Sequence, residues 1–252
     1  MTACAGVDGC KGGWVAVSSL PGELPQARVF PSFADLLEAL PGDAVIAVDM
    51  PIGLPDRAGP GGRGPETLVR RHLGARQSSV FSIPSRAAVH AEPGPFASVE
   101  EWYAAHRRAS DVARQTSDPP RGISIQAFGI FSKIREIDAL MVTRPDLHYR
   151  VIESHPEAAF WRLNGQRAMA LAKKIKGMVN PPGMEERCAL LALCGLPAGF
   201  VAAAPPRGAA QDDLLDACAM LLVAQRYARG EAMPFPDPPL TDGRGVPMAI
   251  WT

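Results

Sequence analysis

The sequence predicts an α/β protein whose mixed sheet is flanked by helices. Apolar residues make up 47% of the 252 residues, which is enough to form a sizeable core. The first fifty residues alternate short apolar runs with turn residues and one helical segment. Residues 44–49 form an apolar run that ends in an acid, which is typical of a buried central strand. Together these patterns predict a meander of strands followed by a crossover.

Three strands are predicted before residue 31. Residues 3–8 form a short apolar run, and residues 14–20 form the second strand. Between them, residues 9–13 contain three glycines and predict a tight turn. These glycines do not form the GxGxxG pattern followed by a helix, which argues against a dinucleotide site. The third strand is predicted at residues 26–30.

A helix and the fourth strand follow. Ser32, with Asp35 three positions later, has the spacing of a capping box, so a helix is expected to begin there. Pro41 and Gly42 end this helix near residue 40, before the buried strand at residues 44–49.

A helical insertion is predicted after the fourth strand, over about residues 57–142, behind a loop rich in Gly and Pro. Its helices are expected at residues 66–73, 98–116 and 124–142. From Arg57 to Arg121 the chain has ten arginines, no lysine and six acids. These arginines predict a positive rim around an acidic cleft, as a polyanionic substrate would require.

The C-terminal part adds one more strand of the sheet and further helices. A strand is predicted at residues 149–153, and an edge strand at residues 246–251. Helices are predicted at residues 156–163, 184–194 and 210–228. We expect residues 1–252 to form a single domain.

Charge and hydropathy disfavour several classes of protein. The 26 basic residues balance 26 acids, whereas a general polyanion binder carries a basic excess. The chain has no unbroken run of about 18 apolar residues and no secretory signal pattern, so no membrane association is expected. Its five cysteines form no CxxC pair, which predicts reduced thiols in a cytoplasmic protein.

Acidic residues recur at the ends of the predicted strands. Asp8 and Asp49 end two apolar strands, and Glu153 ends a third. If these strands are neighbours, Asp8 and Asp49 emerge at one edge of the sheet, where like charges are costly unless a cation bridges them. Carboxylates suit a hard divalent cation, which prefers oxygen ligands. The pattern therefore favours a metal site.

The last predicted helix opens with three further acids, Asp212, Asp213 and Asp216. Asp216 lies four residues after Asp212 and three after Asp213, so it shares a helix face with either. The spacing alone does not choose between them. The helix dipole also stabilises acids at a helix N-terminus, which is a purely structural explanation of the cluster.

Six short motifs follow one another along nearly the whole chain. They are VDGCKGGW (7–14), AVDMPIGL (47–54), RQSSVF (76–81) with Pro84, GISIQ (122–126), ESHPE (153–157) and DDLLDA (212–217). This ordered set resembles the family called domain of unknown function 429, whose members are regarded as predicted nucleases of the ribonuclease H-like fold. The resemblance implies that fold here, with the helical insertion placed after the fourth strand.

The resemblance also implies roles for five acids. Asp8 matches the leading acid of ribonuclease H-like enzymes, and Asp49 matches the second acid, as in Holliday-junction resolvases. Asp213 and Asp216 look like the paired acids on the final helix of those resolvases. These four acids are the implied ligands of Mg²⁺ or Mn²⁺ and, with Glu153 from a motif particular to this family, the implied catalytic residues.

Five other residues are candidates for binding a substrate, and three of them have a structural alternative. Arg76 and Ser78 suit an anion in a loop, and Lys173 suits a phosphate, although its lysine cluster also fits a solvated face. His155 suits a general base or ligand, or a structural role beside Pro156. Gln126 suits substrate recognition or helix packing.

Three functions remain open from the sequence. The preferred one is a metal-dependent nuclease that hydrolyses a phosphodiester of a nucleic acid or a smaller phosphoester through a divalent metal pair. The first alternative is a non-catalytic ribonuclease H-like protein that binds a partner or small ligand. The second is a nucleotide-binding phosphotransferase of the sugar kinase and actin type, which needs two such domains. Binding of Mg²⁺, Mn²⁺ or ATP distinguishes these functions, and the oligomeric state is left open.

Overall fold

The main sheet has five strands in the order β3-β2-β1-β4-β5 in a computed structural model that describes residues 2–252. The strands are β1 (Cys4–Cys10), β2 (Gly13–Ser19), β3 (Gln26–Phe30), β4 (Val45–Val48) and β5 (Val151–Glu153). The first three strands pair antiparallel, whereas β4 pairs parallel with both β1 and β5. This strand order and mixed pairing are those of a ribonuclease H-like fold, so the predicted fold class is confirmed.

Helices cover both faces of this sheet. They are α1 (Phe33–Ala39), α2 (Pro65–Arg70), α3 (Arg86–His90), α4 (Val99–Gln115), α5 (Ile125–Gly129), α6 (Phe131–Thr143), α7 (Pro156–Leu163), α8 (Pro181–Leu193), α9 (Ala198–Val201) and α10 (Gln211–Ala228). Two 3₁₀ helices cover Gly74–Ser79 and Pro145–Tyr149. Two hairpins pair β6 (Lys174–Ile175) with β7 (Met178–Val179) and β8 (Pro234–Thr241) with β9 (Pro247–Trp251).

The predicted helix starts are confirmed where a capping side chain is present. Ser32 accepts a hydrogen bond from the backbone of Asp35, and the Asp35 carboxylate accepts one from the backbone of Ser32, so α1 begins with a complete capping box. Ser98 caps α4 in the same manner, although the Glu101 carboxylate accepts from the backbone of Ala97. Local side-chain chemistry therefore determines these boundaries.

Two of the predicted elements differ in more than their bounds. The helix predicted at residues 124–142 is divided into α5 and α6, because the chain leaves helical geometry at Ile130. The predicted edge strand at residues 246–251 begins at Pro247 and pairs with β8 in a separate hairpin, with a single bridge from Trp251 to Ser154 beyond β5. The proline content of β8 concealed this partner strand in the sequence.

The sheet separates two apolar layers. Cys4 of β1 and Ala47 of β4 lie in the layer formed with α10, whereas Val7 and Val48 lie in the layer formed with α6 and the insertion. Alternate residues of each strand therefore face different helices. Among residues 2–252, no helix combines the length and the hydropathy that a membrane span requires.

The arginines of the insertion mainly hold the protein together. Six of the ten side chains donate hydrogen bonds to carbonyls or side chains within residues 2–252; these are Arg57, Arg63, Arg70, Arg86, Arg108 and Arg114. The predicted positive rim is correspondingly reduced in the described part of the chain. Arg63 lines the cavity at the acids but pairs with two carboxylates, and Arg70 and Arg121 line a neighbouring cavity.

Candidate functional site

The first two acids are placed side by side by the pairing of β1 with β4. Val7 is in register with Val48, so Asp8 and Asp49 are the next residues along two adjacent parallel strands. The backbone amide of Asp49 also donates to the carbonyl of Val7, at 2.9 Å. Both carboxylates project toward α10, because they alternate with the residues of the opposite apolar layer.

The third acid comes from α10, which packs unusually close to β1. A Cβ atom at Gly6 would overlap the backbone of Ala217 and Leu221, so a glycine is required where the helix crosses the strand. This close approach brings Asp216 to the two strand-end acids. Carboxylate oxygens of Asp8, Asp49 and Asp216 all lie within 4.8 Å of one another. The structure therefore brings together three of the four acids that the resemblance implied as metal ligands, and we call this group the acid cluster.

Burial and mutual repulsion make the acid cluster reluctant to ionise. Asp8 and Asp216 are buried, and Asp49 is partly exposed. Burial raises the pKa of Asp8 well above its usual value, and the charges of Asp49 and Asp216 raise it further. Burial and the charge of Asp216 raise the pKa of Asp49 to about 8. Burial also raises the pKa of Asp216, against the opposing charge of Lys173. The cluster therefore favours the arrival of positive charge.

One positive charge is supplied by Lys173, which precedes the β6–β7 hairpin. Its ammonium group contacts the Asp216 carboxylate. Burial alone would lower the pKa of Lys173, but the carboxylates of Asp216, Asp8 and Asp49 raise it, so the side chain is a cation at neutral pH. The next residue, Lys174, pairs with Asp212 at 2.5 Å. The sequence nominated Lys173 for contact with a substrate phosphate, whereas here it contacts the acids.

Asp213 takes a different position from Asp216 on the same helix. Its carboxylate accepts a hydrogen bond from the backbone amide of Ala210 at 2.9 Å, so it caps the N-terminus of α10. This bond directs its oxygen toward the helix end, whereas Asp216 directs its oxygens toward β1 and β4. The structure therefore brings one of the two implied helix acids, Asp216, into the acid cluster.

Glu153 ends β5 but faces the other side of the sheet. It is in register with Val48, in the layer that contains the insertion. Its carboxylate pairs with the guanidinium of Arg63 at 2.6 Å and accepts the amide hydrogen of Ile52 at 2.8 Å. Burial raises the pKa of Glu153 to about 7, against the opposing charge of Arg63. Glu153 thus anchors the loop that follows β4.

A cavity of about 180 Å³ lies between the acids and the insertion, and His155 lines it together with Asp8, Asp49 and Glu153. The Nδ1 atom of His155 accepts from the backbone of Glu157 at 3.2 Å, which caps α7. Its other ring nitrogen lies 3.3 Å from the carbonyl of Ser79. Burial lowers the pKa of His155 to about 4, so the ring is neutral at pH 7.

The remaining nominated residues are spread more widely. Ser78 lines a second cavity of about 420 Å³ next to the first. Arg76 is half-buried in the 3₁₀ helix that precedes Val80, and its Nε atom is buried without a hydrogen-bond partner among the described residues. Gln126 is exposed near the start of α5. The sequence grouped these residues by motif, but the fold does not gather all of them at the acids.

Lys133 is a cavity residue that the sequence did not nominate. It projects from α6 beside Asp8, donates to the carbonyl of Gly13 at 2.5 Å, and places its ammonium 4.4 Å from the centre of the Trp14 ring. Burial lowers its pKa. A Cβ atom at Gly9 would lie 2.7 Å from the Lys133 side chain, so the glycine after Asp8 leaves room for it. In the sequence Lys133 resembles any lysine on an amphipathic helix.

A family model described as "Protein of unknown function (DUF429)" matches residues 6–241. This range contains the whole acid cluster, the insertion and the lining of both cavities except Ile250 of the first. Comparison with curated proteins and with solved structures found no match.

Proposed function

This chain belongs to the DUF429 family, and we propose that it is a metal-dependent nuclease that hydrolyses phosphodiester bonds. One observation carries the proposal: three carboxylates from β1, the end of β4 and α10 converge within 4.8 Å beside a cavity. Bringing three carboxylates together costs free energy in a folded protein, and perturbed acids in a cleft are typical of functional sites.

The donor set fits a hard divalent cation such as Mg²⁺ or Mn²⁺. All three groups offer carboxylate oxygens, the ligands that these ions prefer. The Oδ1 atom of Asp216 is buried and has no hydrogen-bond partner among the described residues, so it has a lone pair to offer. When bound, a divalent pair activates a water molecule and stabilises the leaving oxygen of a phosphodiester.

The residues around the cavity have different roles in this proposal. Asp8, Asp49 and Asp216 would hold the cation, and the close packing of α10 on Gly6 fixes their spacing. The Lys133 ammonium lies on the cavity wall, where its positive charge favours an anionic phosphate. His155 is neutral at pH 7 and bound through both nitrogens, so we assign it a positioning role.

A second candidate function is a non-catalytic ribonuclease H-like binding protein. The contact between Lys173 and Asp216 favours it, because a lysine of the chain itself supplies part of the positive charge that the acids require. In that case the acids and Lys173 form a structural ionic group. The affinity of the protein for Mn²⁺ separates the two functions.

The decisive experiment compares the wild-type protein with Asp8→Asn. Cleavage of labelled single-stranded, duplex and branched substrates is measured with Mg²⁺ and with Mn²⁺, alongside Mn²⁺ binding. The wild type should cleave at least one substrate, and Asp8→Asn should lose both cleavage and tight Mn²⁺ binding, because Asn keeps the size of Asp but lacks its charge. Asp213→Asn, an equivalent change on the capping residue of α10, should retain both. Failure of the wild type to bind Mn²⁺ or to cleave would favour the non-catalytic function.

A further inference from the structure

We propose that the 420 Å³ cavity beside the acid cluster binds a second phosphate group of the substrate. This inference rests on the proposed nuclease function and assigns a recognition site to it. The cavity lies between the loop after β4 and the segment that leads into α5. It shares the wall residues Val80, Phe81 and Ile83 with the cavity at the acids. A ligand in one cavity is therefore next to a ligand in the other.

The lining of this cavity has one sign of charge. Its charged residues are Arg70 and Arg121, and no carboxylate lines it among the described residues. The cavity is also lined by four serines, which are Ser78, Ser82, Ser117 and Ser124. Guanidinium groups and hydroxyls are the side chains that donate hydrogen bonds to phosphate oxygens. In a chain with zero formal net charge, this local composition favours an anionic ligand.

Arg70 is held in place by hydrogen bonds to neutral acceptors. Its guanidinium donates to the carbonyls of Val80 and Gly61, at 2.9 and 2.7 Å, and to the hydroxyl of Ser82 at 2.9 Å. None of these acceptors carries a formal charge, whereas Arg63, nearby in the chain, pairs with two carboxylates. A fixed cation whose partners are all neutral retains its attraction for an anion.

Two sequence motifs that the acid cluster does not use meet at this cavity. The segment RQSSVF with Pro84 supplies Gln77, Ser78, Val80, Phe81 and Pro84, and the segment GISIQ supplies Gly122 and Ser124. Neither motif contributes a carboxylate to the acid cluster. The two segments are about forty residues apart in the chain, yet both line this cavity. A common phosphate-binding site explains why both are present.

The test measures binding in EDTA, where no cleavage occurs, by calorimetry with a thymidine dinucleotide that either carries or lacks a 5′-phosphate. Arg121→Gln should weaken binding of the phosphorylated dinucleotide about tenfold, by removing a charge-assisted hydrogen bond, and leave the unphosphorylated one unchanged. Arg121 is exposed, so the fold should be kept. The matched control is Arg107→Gln, an exposed arginine on α4 outside the cavity, which should change neither.

A third ligand identifies the source of the phosphate. If Arg121→Gln also weakens the binding of a thymidine hexanucleotide that lacks a terminal phosphate, the site accepts an internal phosphate of a nucleic-acid chain. If the substitution weakens binding of the phosphorylated dinucleotide alone, the site binds a terminal phosphate. Either result supports the inference, and Arg121→Lys should restore part of the affinity by restoring the charge.

The inference is overturned if Arg121→Gln and Arg107→Gln bind all ligands alike, or if the wild type binds neither dinucleotide. Its failure is distinct from failure of the proposed function. A protein that cleaves its substrate while Arg121→Gln binds as the wild type does is a nuclease without this phosphate site. A protein that binds phosphate through Arg121 but cleaves nothing retains the site and lacks the activity.

Discussion

Two ionic clusters lie at the ends of adjacent parallel strands, on opposite faces of one sheet, and they are built differently. The acid cluster of Asp8, Asp49 and Asp216 faces α10. The second cluster, Arg63 with Glu66 and Glu153, faces the insertion, and we call it the arginine cluster. Both are largely buried, but they differ in how their charges are balanced.

In the arginine cluster the guanidinium and both carboxylates are paired. Arg63 pairs with Glu66 at 2.8 Å and with Glu153 at 2.6 Å, and its remaining donors reach the carbonyls of Ile52 and Gly53. This is the satisfied network that a buried charge requires for stability. It fastens the loop after β4 to the end of β5.

In the acid cluster three carboxylates face one ammonium group from the segment before β6. Asp216 retains a buried oxygen without a partner among residues 2–252, and burial raises the pKa of all three acids. The raised pKa values mean that bound protons partly relieve the repulsion in the metal-free cluster, and acids perturbed in this way are typical of functional sites. The comparison teaches that charge balance, rather than burial, distinguishes the two clusters, and this difference supports the proposal that the acid cluster binds a cation.

The largest effect is expected from breaking the arginine cluster. Arg63→Met should lower the free energy of unfolding by about 3–5 kcal/mol, because it leaves two buried carboxylates without their cation. Chemical denaturation measures this loss. The same change at the exposed Arg107 should cost no more than about 0.5 kcal/mol. A loss at Arg63 as small as that at Arg107 would refute the structural role of the cluster.

The second expectation concerns pH. The folded state raises the pKa of Asp49 to about 8, so it binds more protons than the unfolded state, and metal-free stability should fall as pH rises from 6.5 to 8. The fall should be on the order of 1–2 kcal/mol. The lowered pKa of His155 opposes this fall only slightly, because most of the unfolded-state rings have already lost their proton over this range.

Thermal denaturation across this pH range tests the expectation, with Asp49→Asn as the comparison. The variant should lose part of the slope, and saturating Mn²⁺ should stabilise the wild type most at pH 8, where the acids are ionised. Glu153 also titrates near pH 7, so some slope will remain in the variant. A wild-type stability that rises between pH 6.5 and 8 would contradict the raised pKa of Asp49 and the repulsion within the acid cluster.

A smaller effect is expected at Lys173. Because its ammonium contacts Asp216, it competes with a divalent cation for the same carboxylates. Lys173→Met should therefore tighten Mn²⁺ binding on the order of tenfold in an electron paramagnetic resonance titration. Lys176→Met removes the same charge from an exposed position of the same hairpin and should have little effect. Equal affinities in the two variants would show that Lys173 does not occupy the metal position.

The smallest effect distinguishes the two helix acids that the family resemblance implied. Asp213→Asn should change the free energy of unfolding by no more than about 1 kcal/mol. The amide oxygen still accepts from Ala210, and the lost attraction to the helix dipole is opposed by relief of the burial penalty that raises the pKa of Asp213. Its Mn²⁺ affinity should stay within about twofold of the wild type. Asp216→Asn, in contrast, should weaken Mn²⁺ binding strongly. Comparable losses in both variants would place Asp213 among the ligands.

Much of the fold was predictable because local chemistry specifies it. The capping residues Ser32 and Ser98 determine where α1 and α4 begin, and the apolar runs determine where β1 and β4 lie. The break between α5 and α6 at Ile130 and the hairpin of β8 with β9 were missed. No local residue signal marks the break, and the pairing of a proline-rich strand depends on tertiary contacts.

The sequence by itself determined which carboxylates are available: strand-end acids at Asp8, Asp49 and Glu153, and helix acids at Asp213 and Asp216. Only the tertiary structure decided how they divide. The alternation of side chains along β5 places Glu153 on the face that contains Arg63. The hydrogen bond from the Ala210 amide directs Asp213 to the N-terminal end of α10. The sheet face that an acid occupies depends on strand register, and the approach of α10 to β1 depends on contacts between residues distant in the chain. The spacing of residues in the sequence encodes neither.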